Sequence, residues 1–332
     1  MCFRNRAGIV IAIHPSGFPG NRSSVISTNS NAMNLLRADH LGMCFGVRDA
    51  IELARHEALN RPLTVLGDLV HNPTVLDDLR SLGTRFEPNL EAATTDTVMI
   101  TAHGASDQRR AEVRAKGHRL IDATCPLVHV AHKALAGLVA QGFHPLVIGQ
   151  RNHTEVLGLI GDFPEADVIL SLEDIRMLKP RAAFGVVSQT TQPVSRCQEL
   201  VASLQEHFPE AQIQFRNTVC QPTRQRQSAA ETLARQCDVV VVIGGPHSNN
   251  TRELVQTCLR GCVRVHHVAT AGDLREEWFS AADTVGITAG TSTPDSTIHA
   301  VEAALRRLAE SGRTAGSPNT ASPIAERTRV GT

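Results

Sequence analysis

Three cysteines stand where a thiolate would be useful. Cys44 lies in Gly42-Met43-Cys44-Phe45-Gly46, Cys125 in Asp122-Ala123-Thr124-Cys125-Pro126 and Cys220 in Asn217-Thr218-Val219-Cys220-Gln221-Pro222. Each precedes a helical apolar pattern: Val47–His56, Val128–Gln141 and Arg224–Gln236 respectively. A helix start offers free amide N–H groups and the positive end of the helix dipole, which stabilise a thiolate or an anionic group. Three thiolates from remote segments suit an iron–sulfur cluster with one iron left open, because a fully ligated [4Fe–4S] cluster takes four. An open iron is a Lewis acid and an electron relay. Zinc is the competing metal, but its structural sites usually carry a close CxxC pair, and the sequence has none. The third reading is three small buried apolar cysteines. Of the eight cysteines, Cys197, Cys237, Cys258 and Cys262 fall inside helical or strand-edge patterns and are expected to be core residues.

A second set of polar residues recurs after short apolar runs. Leu63–Leu66 leads to His71, Val98–Ile100 to His103, Leu146–Ile148 to His153, Thr154 and Glu155, and Phe184–Val187 to Thr190. Val239–Ile243 leads to Ser248, Asn249 and Asn250, and Val285–Ile287 to Ser292. Apolar runs of this length read as buried parallel strands, and ligands of open α/β sheets sit beyond the carboxyl ends of such strands. Further helical patterns at Asp107–Lys116, Val194–His207, Thr251–Arg260 and Ser296–Glu310 complete a strand–helix alternation. The strand ends fall into three pairs, each with a cysteine. The expected fold class is therefore α/β, a trefoil of three similar units with mostly parallel sheets around one central site. The units are expected over residues 46–125, over 126–217, and over 34–45 together with 218–310.

Composition narrows the function. The chain has 332 residues, 42% apolar, ample for a large core. Its 33 basic and 33 acidic residues leave no basic excess for nucleic acid or an anionic membrane surface. Aromatic residues are 3% and Tyr is absent, against a stacking surface for single strands. No apolar run reaches the ~20 residues of a spanning helix, so no membrane partner and a cytoplasmic location are expected. Residues 1–33 read as an unstructured leader, or as an upstream start with Met33 as initiator. Residues 311–332, rich in Gly, Ser, Pro, Thr and Ala, read as a disordered tail.

In this order the segments are similar to the 4-hydroxy-3-methylbut-2-enyl diphosphate reductase (LytB) family. The elements are Leu41-Gly42-Met43-Cys44-Phe45-Gly46-Val47, Val70-His71-Asn72, Thr101-Ala102-His103-Gly104, Asp122-Ala123-Thr124-Cys125-Pro126, Asn152-His153-Thr154-Glu155, Ser188-Gln189-Thr190-Thr191, Cys220, His247-Ser248-Asn249-Asn250-Thr251 and Thr288-Ala289-Gly290-Thr291-Ser292. The resemblance covers roughly residues 34–310. It implies one [4Fe–4S] cluster per chain on Cys44, Cys125 and Cys220. It also implies reductive dehydroxylation of an allylic diphosphate to isopentenyl and dimethylallyl diphosphate, with reduced ferredoxin or flavodoxin as electron donor, by a monomer or homodimer. His71, His103, His153, Ser248, Asn249, Asn250 and Ser292 would hold the substrate, and Glu155 with Thr190 would deliver the proton. The chain departs from the family at Met43, at Gln150 and at His247-Ser248-Asn249-Asn250, which makes Asn249 the less certain diphosphate contact. Two other functions fit the residues: a zinc-dependent hydrolase of a phosphorylated metabolite, and a non-catalytic cluster-binding sensor.

Overall fold

The computed structural model describes residues 33–315. In chain order the regular elements are β1 (Asn34–Arg37), α1 (Phe45–Asn60), β2 (Leu63–Leu66), α2 (Pro73–Ser81), β3 (Arg85–Glu87), β4 (Thr97–Ile100), α3 (Asp107–Ala115) and β5 (Arg119–Asp122). There follow α4 (Pro126–Val139), β6 (His144–Ile148), α5 (Thr154–Ile160), β7 (Asp167–Ile169), α6 (Leu172–Arg176), β8 (Ala183–Ser188), α7 (Val194–His207) and β9 (Gln212–Arg216). The last set is α8 (Gln221–Ala234), β10 (Val239–Ile243), α9 (Asn249–Leu259), β11 (Arg264–Val268), β12 (Thr284–Ala289) and α10 (Asp295–Ala315). Residues 1–32 and 316–332 of the expected leader and tail lie outside the described residues, while α10 runs through 311–315.

The strands form three four-stranded sheets, ordered β3-β2-β4-β5, β7-β6-β8-β9 and β11-β10-β12-β1. Every pairing is parallel. The order is the same three times over, except that the N-terminal strand β1 supplies the fourth strand of the last sheet by pairing with β12. This is the α/β trefoil anticipated above. The six apolar runs are the central pairs β2–β4, β6–β8 and β10–β12. Their side chains alternate between two covered faces, so both faces must be apolar. In the last sheet Val239, Val241, Ile243, Val285 and Ile287 pack on one side and Val240 and Val242 on the other. In the middle sheet Leu146, Ile148, Phe184 and Val186 oppose Val147 and Val187. Phe184 is fully buried, and truncating such a ring to Ala costs about 3–5 kcal/mol.

The helices supply the covering layer and begin earlier than the apolar pattern suggests. α1, α4 and α8 take Cys44, Cys125 and Cys220 as their N-caps, and Pro126 and Pro222 occupy the first turns of α4 and α8. Proline is tolerated there because the first-turn N–H has no intrahelical partner to lose. No helix among the described residues is long and apolar enough to cross a membrane.

Candidate active site

The three cysteines are held by one repeated backbone contact. The Cys125 N–H donates to Ala102 O at 3.1 Å, Cys220 to Thr190 O at 3.0 Å, and Cys44 to Thr291 O at 3.2 Å. Each acceptor lies two residues past the end of the third strand of its unit, β4, β8 or β12. The fourth strand thus delivers the cysteine, the third strand fixes it, and the following helix points its free amides at the thiol. None of the three thiols is used as a side-chain cap, and none is in a disulfide. Burial pushes the Cys125 thiol up, opposed by the N–H groups of Leu127 and Val128. It pushes Cys220 up to about 11, opposed mainly by Thr223, whose Oγ1 lies 3.1 Å from the sulfur. Cys125 and Cys220 are thus neutral thiols that a metal cation would convert to thiolates.

Together the strand ends and helix starts line one cavity, where ligands of open α/β sheets bind. Its wall contains Cys44, Cys125 and Cys220, the imidazoles His71, His103 and His153, Glu155 with Thr190, and Ser248, Asn249, Asn250 and Ser292. All twelve residues singled out from the sequence therefore face one cavity.

The imidazoles form one cluster. His71 stacks on His103 at 4.2 Å between ring centroids, and His153 meets both edge-on at 5.1 and 5.4 Å. Their ligand atoms all lie within 4.8 Å of one another. Burial lowers all three pKa values: His153 falls to about 3, His103 well below its ordinary value, and His71 below it too. At neutral pH they are uncharged, each with one N–H to give. His153 caps α5 by accepting the Glu155 N–H on Nδ1 at 3.1 Å, which leaves its proton on Nε2. His71 Nε2 is buried with no partner.

Glu155 is the buried acid. It is 2% exposed. Its Oε1 accepts the Thr190 N–H at 2.6 Å and its Oε2 the Thr190 hydroxyl at 3.0 Å. Desolvation raises its pKa to about 7, with the two Thr190 donors holding it down.

The remaining wall comes from the last unit. Ser248 caps α9, its Oγ accepting from Thr251 N at 3.3 Å, and Ser292 Oγ donates to His71 O at 3.3 Å. Asn250 Oδ1 accepts the Thr291 N–H at 3.0 Å, but its Nδ2 is buried and unpartnered. Asn249 Nδ2 instead donates to Thr191 Oγ1 at 3.1 Å. Its amide is therefore committed to a neighbouring loop.

Sequence reasoning passed over several residues. Thr191, Thr223 and Thr291 line the cavity, and Gly46 brings α1 against Cys125, since a Cβ there would strike the Cys125 sulfur. Thr223 was detectable, standing three residues after an N-cap cysteine, where a side chain meets the cap. Cys197, Cys258 and Cys262 are buried in apolar clusters, with Cys237 packed against one of them. Cys258 lies in the last turn of α9, which ends at Leu259, and Cys262 lies beyond it. Of the other histidines, His266 stacks on Trp278 at 4.1 Å, and His267 Nε2 lies 2.9 Å from Gly244 O.

Parallel sheets that direct thiols, imidazoles and a carboxyl of raised pKa into one small cavity define an α/β enzyme with its site at the strand ends. Residues 35–306 match the family described as LytB protein. The chain is 35% identical over 285 residues to the 4-hydroxy-3-methylbut-2-enyl diphosphate reductase of Aquifex aeolicus, covering 84% of this chain and 98% of that one. It is 38% identical over 266 residues to that of Citrifermentans bemidjiense, covering 79% and 93%. A solved structure titled as the (E)-4-hydroxy-3-methyl-but-2-enyl diphosphate reductase, the terminal enzyme of the non-mevalonate pathway, superposes with a TM-score of 0.61 at 34% identity, covering 83% of this chain and 99% of that one. The E-1-hydroxy-2-methyl-but-2-enyl-4-diphosphate reductase of Plasmodium falciparum superposes with a TM-score of 0.75 at 27% identity, covering 81% and 86%. This chain belongs to the LytB family.

Proposed function

We propose that the chain reduces (E)-4-hydroxy-3-methylbut-2-enyl diphosphate to isopentenyl and dimethylallyl diphosphate. Two electrons and two protons enter, the allylic C–O bond breaks, and water leaves. The carrying observation is the meeting in one cavity of three separate thiols, a trio of neutral imidazoles and a buried carboxyl with a pKa of about 7. Within this proposal the three units comprise residues 46–125, residues 126–217, and residues 34–45 with 218–310.

The donor set fits a [4Fe–4S] cluster held by Cys44, Cys125 and Cys220. Among the described residues the only His, Cys, Asp or Glu trio within 4.8 Å is the imidazole one. Three cysteines leave one iron of such a cluster without a protein ligand, whereas structural zinc sites usually take four ligands with a close CxxC pair, which the sequence lacks. When bound, such a cluster would supply the electrons and a Lewis-acidic iron. Reduced ferredoxin or flavodoxin would deliver the electrons.

The protein's own part is binding and proton delivery. The diphosphate is met by N–H and O–H donors from His71, His103, His153, Ser248, Asn250 and Ser292 and by the start of α9. The unpartnered His71 Nε2 and Asn250 Nδ2 are the donors that most need such an acceptor. Asn249 would act by holding Thr191. With Glu155 protonated on Oε2, its O–H turns to Thr190 Oγ1, and the Thr190 hydroxyl hydrogen turns into the cavity. Thr190 N–H stays on Oε1 throughout. The pair can then pass one proton to the leaving hydroxyl without exposing a bare carboxylate. The test is anaerobic turnover of the allylic diphosphate with a chemical reductant. Formation of both isoprenyl diphosphates is expected; a fully iron-loaded protein that forms neither contradicts the assignment.

A further inference from the structure

Arg226 lies on α8 and is 7% exposed. Its Nε and Nη2 donate to Gly42 O at 2.9 and 2.7 Å, and its Nη1 donates to Pro222 O at 2.9 Å. Gly42 is two residues before Cys44, and Pro222 is two residues after Cys220. One guanidinium therefore ties together two of the three thiol-bearing turns. Gly42 is itself anchored, its N–H donating to Ala289 O at 3.1 Å, and its φ of +76° with Ile298 Cδ1 packed against it favours glycine there.

Arg226 differs from the other comparably buried arginine. Arg110, also 7% exposed, is balanced by Asp122 at 2.8 Å and Asp107 at 3.2 Å. Among the described residues no carboxylate lies within 4.0 Å of the Arg226 guanidinium. Burial works against its cation; Cys44 and Cys220, once ionised, favour it, and Arg48 opposes it. A buried guanidinium bonded only to carbonyls still needs a counter-charge. Among the described residues the candidates are those two sulfurs once a metal has ionised them.

We propose that Arg226 is a positioning residue and the standing counter-cation of the Cys44–Cys220 pair, so that the negative charge completing its environment belongs to the cluster these thiolates hold. This rests on the cluster assignment above. Its bridge fixes the spacing of two ligands before any metal arrives. Its charge stabilises the more negative, reduced state of the bound cluster.

Three variants separate charge from shape: Arg226→Lys keeps the charge, Arg226→Gln keeps a donor without charge, and Arg226→Met keeps bulk alone. In the reconstituted holoenzyme the midpoint potential should move to more negative values in the Gln and Met variants and stay near the parent value in Lys. Cluster loss to a chelator should be at least about tenfold faster in Met, a loss of about 1.4 kcal/mol in barrier. In cluster-free protein, amide exchange at Gly42 and Cys44 should rise in Gln and Met. A parent-like potential in Gln or Met, or a Lys variant shifted as far as Met, overturns the counter-charge. Unchanged exchange in both uncharged variants overturns the bridge. If the parent chain takes up no iron, the cluster assignment fails and the exchange result still decides the bridge.

Discussion

Thr190 holds Glu155 through both of its hydrogen-bond donors, the backbone N–H on Oε1 at 2.6 Å and the hydroxyl on Oε2 at 3.0 Å. The same residue's carbonyl accepts the Cys220 N–H at 3.0 Å. Acid, relay and one metal-ligand candidate are thus set by a single loop at the end of β8.

The pH dependence follows from that geometry. An acid with a pKa of about 7 must be protonated to work, so kcat/KM should fall as pH rises through about 7. Thr190→Val deletes the hydroxyl donor that holds the pKa down, so the basic limb should move to higher pH while the rate drops. Glu155→Gln should abolish the limb and most of the turnover. A pH–rate series on the three proteins checks this, and a Gln variant with full turnover would remove Glu155 from the acid role.

Stability carries the same signature. The folded-state pKa of Glu155 is raised from 4.5 to about 7. Its stabilising contribution is therefore complete below about pH 4.5 and lost as pH rises through 7. The loss amounts to about 3 kcal/mol at 1.36 kcal/mol per unit. Glu155→Gln cannot ionise, so its stability relative to the parent should improve between pH 5 and pH 8. Denaturant melts at the two pH values measure it; a constant difference would contradict the raised pKa.

Binding of the diphosphate should take up protons. His71, His103 and His153 are neutral at pH 7 because burial lowers their pKa values. An adjacent polyanion favours the imidazolium form and raises them. Calorimetry in buffers of different ionisation enthalpy should therefore show uptake at pH 7, reduced in His71→Asn. Proton release would contradict the assignment of these rings to the anion.

The two neighbouring asparagines should behave differently. Asn250 presents an unpartnered Nδ2, whereas Asn249 already donates to Thr191. Asn250→Ala should raise KM about tenfold, the equivalent of one hydrogen bond of about 1.4 kcal/mol. Asn249→Ala should raise it less. Steady-state kinetics at several substrate concentrations decide it, and the reverse order would move the diphosphate contact to Asn249.

Gly46 should be indispensable for loading. A methyl group there would collide with the Cys125 sulfur. Gly46→Ala should lower iron content after reconstitution while leaving the far-UV circular dichroism unchanged; parent-like iron content would contradict the closeness of α1 to Cys125.

Much of this arrangement is legible in the sequence because both faces of the central strands are buried. Val239–Ile243 reads as a strand without any alternation to interpret. The edge strands escape notice for the opposite reason. β5 is Arg119-Leu120-Ile121-Asp122 with exposed ends, and β9 mixes Gln and Arg with Ile and Phe. The early starts of α4 and α8 are obscured because a cysteine cap followed by Pro126 or Gln221-Pro222 breaks the apolar period before it begins. Residue types at strand ends reveal the wall of the site, since a histidine or amide there has few structural uses in such number. Arg226 gives no such sign: its two partners are backbone carbonyls, one of them 184 residues away, and carbonyl contacts leave no trace in side-chain chemistry.

The most direct test of the central claim is anaerobic reconstitution followed by iron, sulfide and zinc analysis of the parent chain and of Cys44→Ser, Cys125→Ser and Cys220→Ser. The account predicts about four iron and four sulfide per parent chain, the content of a [4Fe–4S] cluster, with severe loss in each variant and little zinc. A folded parent chain that binds zinc in place of iron, or a variant that keeps its full cluster, would contradict it.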